Sequence, residues 1–243
     1  MRSSLFIISL FNGLLLAQPS FTAANIATSL NNSYTVRAAD IDNDGDIDVL
    51  SASYGDSKVV WYENDGASNP SFTARTIATG SDADGAIWVH AADIDNDGDL
   101  DVLAATYSDN QIAWYENDGA ADPSFTIRTI GTSITGGRGV YAADIDNDGD
   151  IDVLSASQSD DKIAWLENDG AADPSFTTRT ITTSADAARS VYAADIDNDG
   201  DIDVLSASYT DDKIAWYEND GASNPSFTAR TIATGSDADG AIW

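Results

Sequence analysis

The 243-residue chain contains no cysteine, one histidine and one methionine. Without thiols it has no disulfide, no thiolate metal site and no cysteine nucleophile, and so little imidazole and thioether argues against softer transition-metal chemistry. Positive charge is scarce too: 11 Lys and Arg stand against 41 Asp and Glu, a formal net charge of −30. Such a chain repels nucleic acid and anionic membrane surfaces, so neither is an expected partner. No Ser/His/Asp or Cys/His arrangement recurs, and no block of the mature chain is long and periodic enough to read as a helix. Long apolar runs are missing except at the N-terminus, where Arg2, an apolar stretch from Leu5 to Leu16 and the small residue Ala17 read as a signal peptide over residues 1–17. That stretch is short of the roughly 20 residues a membrane-spanning helix needs. The mature chain, from Gln18, is therefore expected to be secreted or at the cell surface, with no membrane insertion after cleavage.

Aspartate is what the chain has in excess, and it is clustered. "DIDNDGDID" runs from Asp40 to Asp48, recurs from Asp144 and Asp195, and recurs from Asp93 with Leu100 in place of isoleucine. These four stretches hold 20 of the 41 acidic residues, so the charge has a local cause. Their starts are 53, 51 and 51 residues apart. In each unit an alanine pair precedes the aspartates, an apolar run such as "IDVLSAS" follows, and then come "KVVWYENDG" or a variant and "PSFTARTIAT" or a variant. Each block is short, rich in β-branched or aromatic residues, and bounded by Gly, Asn, Asp or Pro, which predicts four strands per unit.

Four antiparallel strands in about 50 residues is the pattern of a propeller blade. The fold class expected is all-β, a β-propeller of four-stranded antiparallel blades. The units fall at 34–80, 88–131, 139–182 and 190–234 within a domain of residues 18–243, with partial strands at 19–28 and 236–243. Trp61, Trp114, Trp165 and Trp216 occupy one equivalent place in the third strand and are expected to anchor the packing between blades. Residues 61–88 and 216–243 are identical over 28 positions, and the first copy runs on into another aspartate stretch. This repetition predicts a fragment of a larger ring, of seven blades.

The nine-residue loop has the chemistry of a hard-cation site. Carboxylates at positions 1, 3, 5 and 9 and a backbone carbonyl at position 7 suit calcium, which takes six to eight oxygens at about 2.3 to 2.6 Å, while glycine at position 6 permits the sharp turn. The expected side-chain ligands are Asp40, Asp42, Asp44 and Asp48; Asp93, Asp95, Asp97 and Asp101; Asp144, Asp146, Asp148 and Asp152; and Asp195, Asp197, Asp199 and Asp203. Asp46, Asp99, Asp150 and Asp201 supply the carbonyls, giving four Ca2+ ions, one per loop. Two carboxylates about 6 Å apart repel by roughly 1 to 3 kcal/mol, so a loop holding several such pairs resists closing without a counter-ion. Position 12 is Ser or Ala, not glutamate, and strands flank the loop, which excludes an EF-hand. Ile47 at position 8 is expected to point inward and tie its loop to the core.

On these motifs, "DIDNDGDID" at about 50-residue spacing in four-strand units, the chain resembles the FG-GAP/VCBS repeat family, which includes the calcium-binding propeller of integrin α subunits. The Phe-Gly…Gly-Ala-Pro signature itself is absent, which places the resemblance nearer the bacterial VCBS branch. The resemblance implies a secreted or surface propeller with calcium in the loops between first and second strands. It implies no single activity, since similar repeats occur in adhesins, lectins and accessory domains of polysaccharide-degrading enzymes.

In a blade of this topology the aspartate loops and the "ENDGAxxP" turns share one face, and the interblade loops emerge on the other. The interblade loops vary most: "TSLNNSYT", "GSDADGAIW", "GTSITGGRG" and "TTSADAARS". Arg37, His90, Tyr141 and Tyr192 share one varied place before the alanine pairs, near the expected axis. Recognition residues concentrate in loops held by a rigid scaffold. The function expected is therefore a calcium-stabilised extracellular binding or adhesion module for glycan or protein partners. The alternatives are the noncatalytic propeller portion of a polysaccharide-degrading enzyme or a purely structural cell-envelope repeat protein. No catalytic residue is assigned; Asp82 and Asp84, in "SDADG", are read as solvated loop acids.

Overall fold

A computed structural model describes residues 23–131 and 134–241. The expected signal peptide and the start of the expected N-terminal strand lie outside these residues. The first blade comprises Ser33–Ala39 (β1), Asp48–Ser53 (β2), Lys58–Asn64 (β3) and Phe72–Thr79 (β4); the second Ala86–Ala92 (β5), Asp101–Thr106 (β6), Gln111–Asn117 (β7) and Phe125–Gly131 (β8). The third comprises Gly137–Ala143 (β9), Asp152–Ser157 (β10), Lys162–Asn168 (β11) and Phe176–Thr182 (β12); the fourth Ala188–Ala194 (β13), Asp203–Ser208 (β14), Lys213–Asn219 (β15) and Phe227–Thr234 (β16). Each blade is an antiparallel meander in which consecutive strands pair. The four blades thus span residues 33–79, 86–131, 137–182 and 188–234. Residues 23–28 and 238–241 form no strand, and single 3-10 turns stand at Gly80–Asp82 and Gly235–Asp237.

The strands are short because turn residues break them at fixed places, and both blade faces are apolar because both are covered. In β10, for example, Val153 packs toward the second blade and Leu154 toward the fourth, and every residue of this strand is buried. The core is thus three seams between neighbouring blades. Trp61, Trp114 and Trp165 each pack toward the following blade and are buried as expected, whereas Trp216 is only half-buried. Among the described residues no blade follows the fourth to cover it. The same rule leaves Val36 and Ile47 exposed on the outer flank of the first blade and Tyr192 and Ile232 on that of the fourth. The innermost strands run side by side, β1 against β5, β5 against β9 and β9 against β13. Of the described residues, no helix is long and apolar enough to cross a membrane.

Candidate metal centre

Each aspartate loop bridges the first and second strands of a blade and is held by its own acids. Asp93 Oδ1 accepts from the Asp97 amide at 3.1 Å and its Oδ2 from the Gly98 amide at 3.0 Å, while Asp97 Oδ1 accepts from the Asp99 amide at 3.0 Å. The other three loops repeat this pattern. Position 4 is Asn43, Asn96, Asn147 or Asn198, with φ between 56° and 63°, a left-handed conformation that asparagine tolerates. The position-6 glycines reach φ of 94° to 101°, where a side chain would be strained.

Carboxylates from different positions converge in every loop. Ligand oxygens of Asp40, Asp42 and Asp48, of Asp93, Asp95 and Asp97, of Asp144, Asp146 and Asp152, and of Asp195, Asp197 and Asp199 lie within 4.8 Å of one another in their groups. Positions 1 and 3 thus meet in all four loops, joined by position 9 in two and position 5 in two. Burial, and next the neighbouring position-5 charge, pushes Asp42, Asp95, Asp146 and Asp197 above the usual carboxylate range. Oδ1 of Asp95 and Oδ1 of Asp146 are buried and accept no hydrogen bond. A buried carboxylate oxygen without a donor is costly unless a cation faces it. The all-oxygen donor set, with orphaned oxygens on Asp95 and Asp146, fits a hard divalent cation.

Positions 9, 7 and 8 also have structural duties that the loop sequence alone does not reveal. Asp101 is buried, with Oδ2 accepting from the Ile94 amide at 3.1 Å and Oδ1 from the Asn117 amide of β7 at 2.8 Å. Burial pushes the carboxyls of Asp101 and Asp152 up to about 7 against these hydrogen bonds. The position-7 side chains reach sideways: Asp99, Asp150 and Asp201 accept from Asn43, Asn96 and Asn147 of the preceding blade at 2.7 to 3.0 Å. A side chain at Gly66, Gly119, Gly170 or Gly221 in the "ENDG" turn would collide with these position-7 carboxylates, which confirms that turn and loop share a face.

The expectation for Ile47 is corrected: it is 56% exposed, and the fully buried loop residues are Ile41, Ile94 and Ile145 at position 2. Position 8 packs toward the preceding blade, so Leu100, Ile151 and Ile202 are partly covered, while Ile47 has no described blade on that side. Position 2 packs toward the following blade, which is why Ile196 of the fourth loop is 39% exposed.

The "ENDG" asparagines are functional residues that the sequence reading missed. Asn117 Nδ2 donates to Leu100 O in its own loop and to Ile41 O in the preceding loop, both at 3.0 Å. Asn168 and Asn219 do the same with Ile151 and Ile94, and with Ile202 and Ile145, at 2.9 to 3.0 Å. Asn64 reaches only Ile47 O, at 2.9 Å. The signal available was the constant 24-residue distance from loop start to asparagine.

On the opposite face the turns between second and third strands are held by the main chain and by one side chain each, with Ser57, Asn110, Asp161 and Asp212 accepting from the amides of Gly85, Gly136, Ala187 and Gly240 at 2.8 to 3.2 Å. The amides of Tyr54, Tyr107, Gln158 and Tyr209 donate to Asn32, Gly85, Gly136 and Ala187 in the loops that lead into the inner strands, at 2.9 to 3.2 Å. Near the axis, His90 and Tyr141 lie 4.6 Å apart between ring centroids, and so do Tyr141 and Tyr192; Arg37 lies over Trp88. Burial, with Arg37 adding to it, lowers His90 to about 4. Asp82 and Asp84 are exposed, with Asp84 accepting from Ser57 at 3.2 Å.

Comparison with known proteins agrees with this architecture. A lectin from Agrocybe aegerita, described as specifically recognising non-reducing terminal N-acetylglucosamine, superposes with a TM-score of 0.54 at 17% identity, covering 81% of this chain and 51% of its own. The V. cholerae biofilm matrix protein Bap1 gives a TM-score of 0.36 at 15% identity over 88% of this chain and 41% of its own. The chain thus spans about half or less of either structure. A search of curated proteins returns no match. The FG-GAP-like repeat model matches four times, at residues 40–104, 93–155, 144–206 and 195–243, each match beginning at the first aspartate of a loop. With four tandem matches from Asp40 onward and one blade to each repeat, the chain belongs to the FG-GAP-like repeat family.

Proposed function

We propose that this chain is a calcium-ordered extracellular binding module, with a glycan or a protein as its partner. The observation that carries the calcium reading is the pair of buried, donor-less carboxylate oxygens on Asp95 and Asp146, each beside two further carboxylates. Aspartates at positions 1, 3 and 5 hold the ion with the position-7 carbonyl, and position 9 closes the loop onto the third strand. A bound divalent charge offsets repulsion that otherwise opens the loop. Because Asn117, Asn168 and Asn219 clamp consecutive loops together, ordering one loop also sets the register of its neighbour. The result is a stiff array of blades whose other face is free to carry recognition residues. Secretion is supported by the apolar N-terminal segment of residues 1–17. The fold shared with a lectin puts glycans first among ligands to test.

Thermal unfolding in EDTA and in millimolar calcium tests the metal; unchanged melting would overturn it. A glycan array in millimolar calcium tests the partner, and the expected result is binding that disappears on exchange of the interblade loops while melting is kept.

A further inference from the structure

Cations are few in this chain, and seven of the ten described Lys and Arg are neutralised in place. Arg75, Arg128, Arg179 and Arg230 pair with Glu63, Glu116, Glu167 and Glu218, and Lys58, Lys162 and Lys213 pair with Asp56, Asp160 and Asp211. Among the described residues, the arginines outside any ion pair are Arg37, Arg138 and Arg189, all on innermost strands. A chain with 41 acids that leaves three arginines without a carboxylate has kept them for another purpose or has no acid in reach.

Arg138 and Arg189 lie on the loop face and share surroundings. The Arg138 guanidinium lies 4.8 Å from the Tyr107 ring centroid and donates through Nε to Gln158 Oε1 at 2.6 Å. The Arg189 guanidinium lies 4.8 Å from the Tyr209 ring centroid, and its buried Nε has no hydrogen-bond partner. An added Cβ on Gly139, the residue after Arg138, would lie 3.2 Å from Arg189 O, which sets the two arginines on adjoining innermost strands, β9 and β13. Tyr54 joins Tyr34 at 5.9 Å and Tyr107 at 6.3 Å between centroids, so the rings form a continuous row. Tyr34, Tyr54 and Tyr209 are each more than a third exposed.

We propose that this centre, Arg138 and Arg189 among Tyr54, Tyr107, Tyr209 and Gln158, binds a carboxylated saccharide. Two guanidinium forks match a planar carboxylate, and exposed tyrosine rings offer apolar surface to sugar C–H groups. An acidic peptide fits less well, because the main-chain groups of these turns already hydrogen-bond to the interblade loops and leave no strand edge to extend. The proposal rests on the binding-module reading and narrows it to one site and one ligand class.

The test is calorimetric titration of the calcium-loaded chain with hyaluronan hexasaccharide, which carries glucuronate, against neutral chitohexaose and an acidic glutamate peptide. Binding of the uronate oligomer alone is expected, weakened about 10- to 100-fold in Arg138→Gln/Arg189→Gln, the loss typical of charge-assisted hydrogen bonds. Melting of the double variant in calcium checks its fold. In the unmodified chain, affinity should fall steeply as salt rises from about 50 to about 500 mM, which needs no variant. Equal binding of chitohexaose that is insensitive to both arginines would overturn the anion site and leave the binding module standing. Tighter binding of the glutamate peptide, or no binding of the uronate oligomer, would also overturn it.

Discussion

On one face of the blades, four nine-residue loops differ at a single place, Leu100; on the other, the equivalent inner-strand positions carry Tyr34, Ile87, Arg138 and Arg189. The two faces are stabilised by different parts of the same chain. Loop folding on the aspartate face runs through side chains: the acids at positions 1, 5 and 9 cap amides, Asn at position 4 meets Asp at position 7 of the next blade, and the "ENDG" asparagine spans two loops. Substituting an acid or asparagine there removes a hydrogen bond. On the tyrosine face the turns are fastened by amides and carbonyls, which every residue except proline can supply in full, and by one side chain per blade, Ser57, Asn110, Asp161 or Asp212, that accepts from an amide of the following loop. Side chains outside that position can change without breaking these bonds, and variation is the consequence.

Removing the metal should separate the faces most. Under the proposed calcium reading, four sites of roughly 0.1 to 1 mM affinity let about 2 mM calcium contribute about 3 to 7 kcal/mol, read as a lower melting temperature in chelator. A chain carrying Asp95→Ala and Asp146→Ala should lose about half of that difference, since two of four loops are disabled; an undiminished difference would place it elsewhere.

Next in size is the clasp. Asn117→Ala strands two carbonyls, Ile41 O and Leu100 O, in a buried seam, and is expected to cost about 2 to 4 kcal/mol by denaturant unfolding. Asn64→Ala, on the outer flank with one carbonyl to lose, should cost about half as much or less. Equal costs would mean that the interblade bond contributes nothing.

The axis supplies a pH test. His90, facing Arg37 and Tyr141, titrates near 4 when folded against 6.5 ordinarily, so between these values the unfolded chain binds more protons. Its contribution is complete above about pH 6.5 and is lost as pH falls towards 4, the loss reaching about 2 kcal/mol at pH 5. Comparison with His90→Tyr, the residue found at this place in the last two repeats, isolates that slope from the titration of the aspartates; parallel curves would contradict it.

The smallest effect is expected in a turn of the variable face. Ala187 sits at φ 54°, where the equivalent Gly85 and Gly136 sit at 66°. Ala187→Gly should raise stability by about 0.5 to 1 kcal/mol through relief of left-handed strain, less the added freedom of the unfolded chain. A fall in melting temperature would show that packing of the methyl group dominates.

The blades were legible in the repeats because strand periodicity, turn residues and loop spacing are local properties, and the boundaries expected for "IDVLSAS" and "KIAWYENDG" match β14 and β15 closely. The convergence of positions 1 and 3 was legible for the same reason, since nine residues contain it. What escaped was everything that joins one blade to the next. Ile47 was expected to point inward on the strength of its own loop, yet its burial depends on a neighbouring blade. Trp216 has the sequence surroundings of Trp165 but is only partly covered, where Trp165 is buried.

By itself, the sequence determined the β class, the four-strand unit, the aspartate loop as an oxygen cage and the division into a constant and a varied face. Tertiary structure decided which isoleucine is buried, that the "ENDG" asparagine spans two loops from 76 residues away, and that Arg138 and Arg189, on adjoining inner strands, each lie over a tyrosine ring. These depend on how far one blade turns against the next, a quantity set by seam packing and carried by no single repeat.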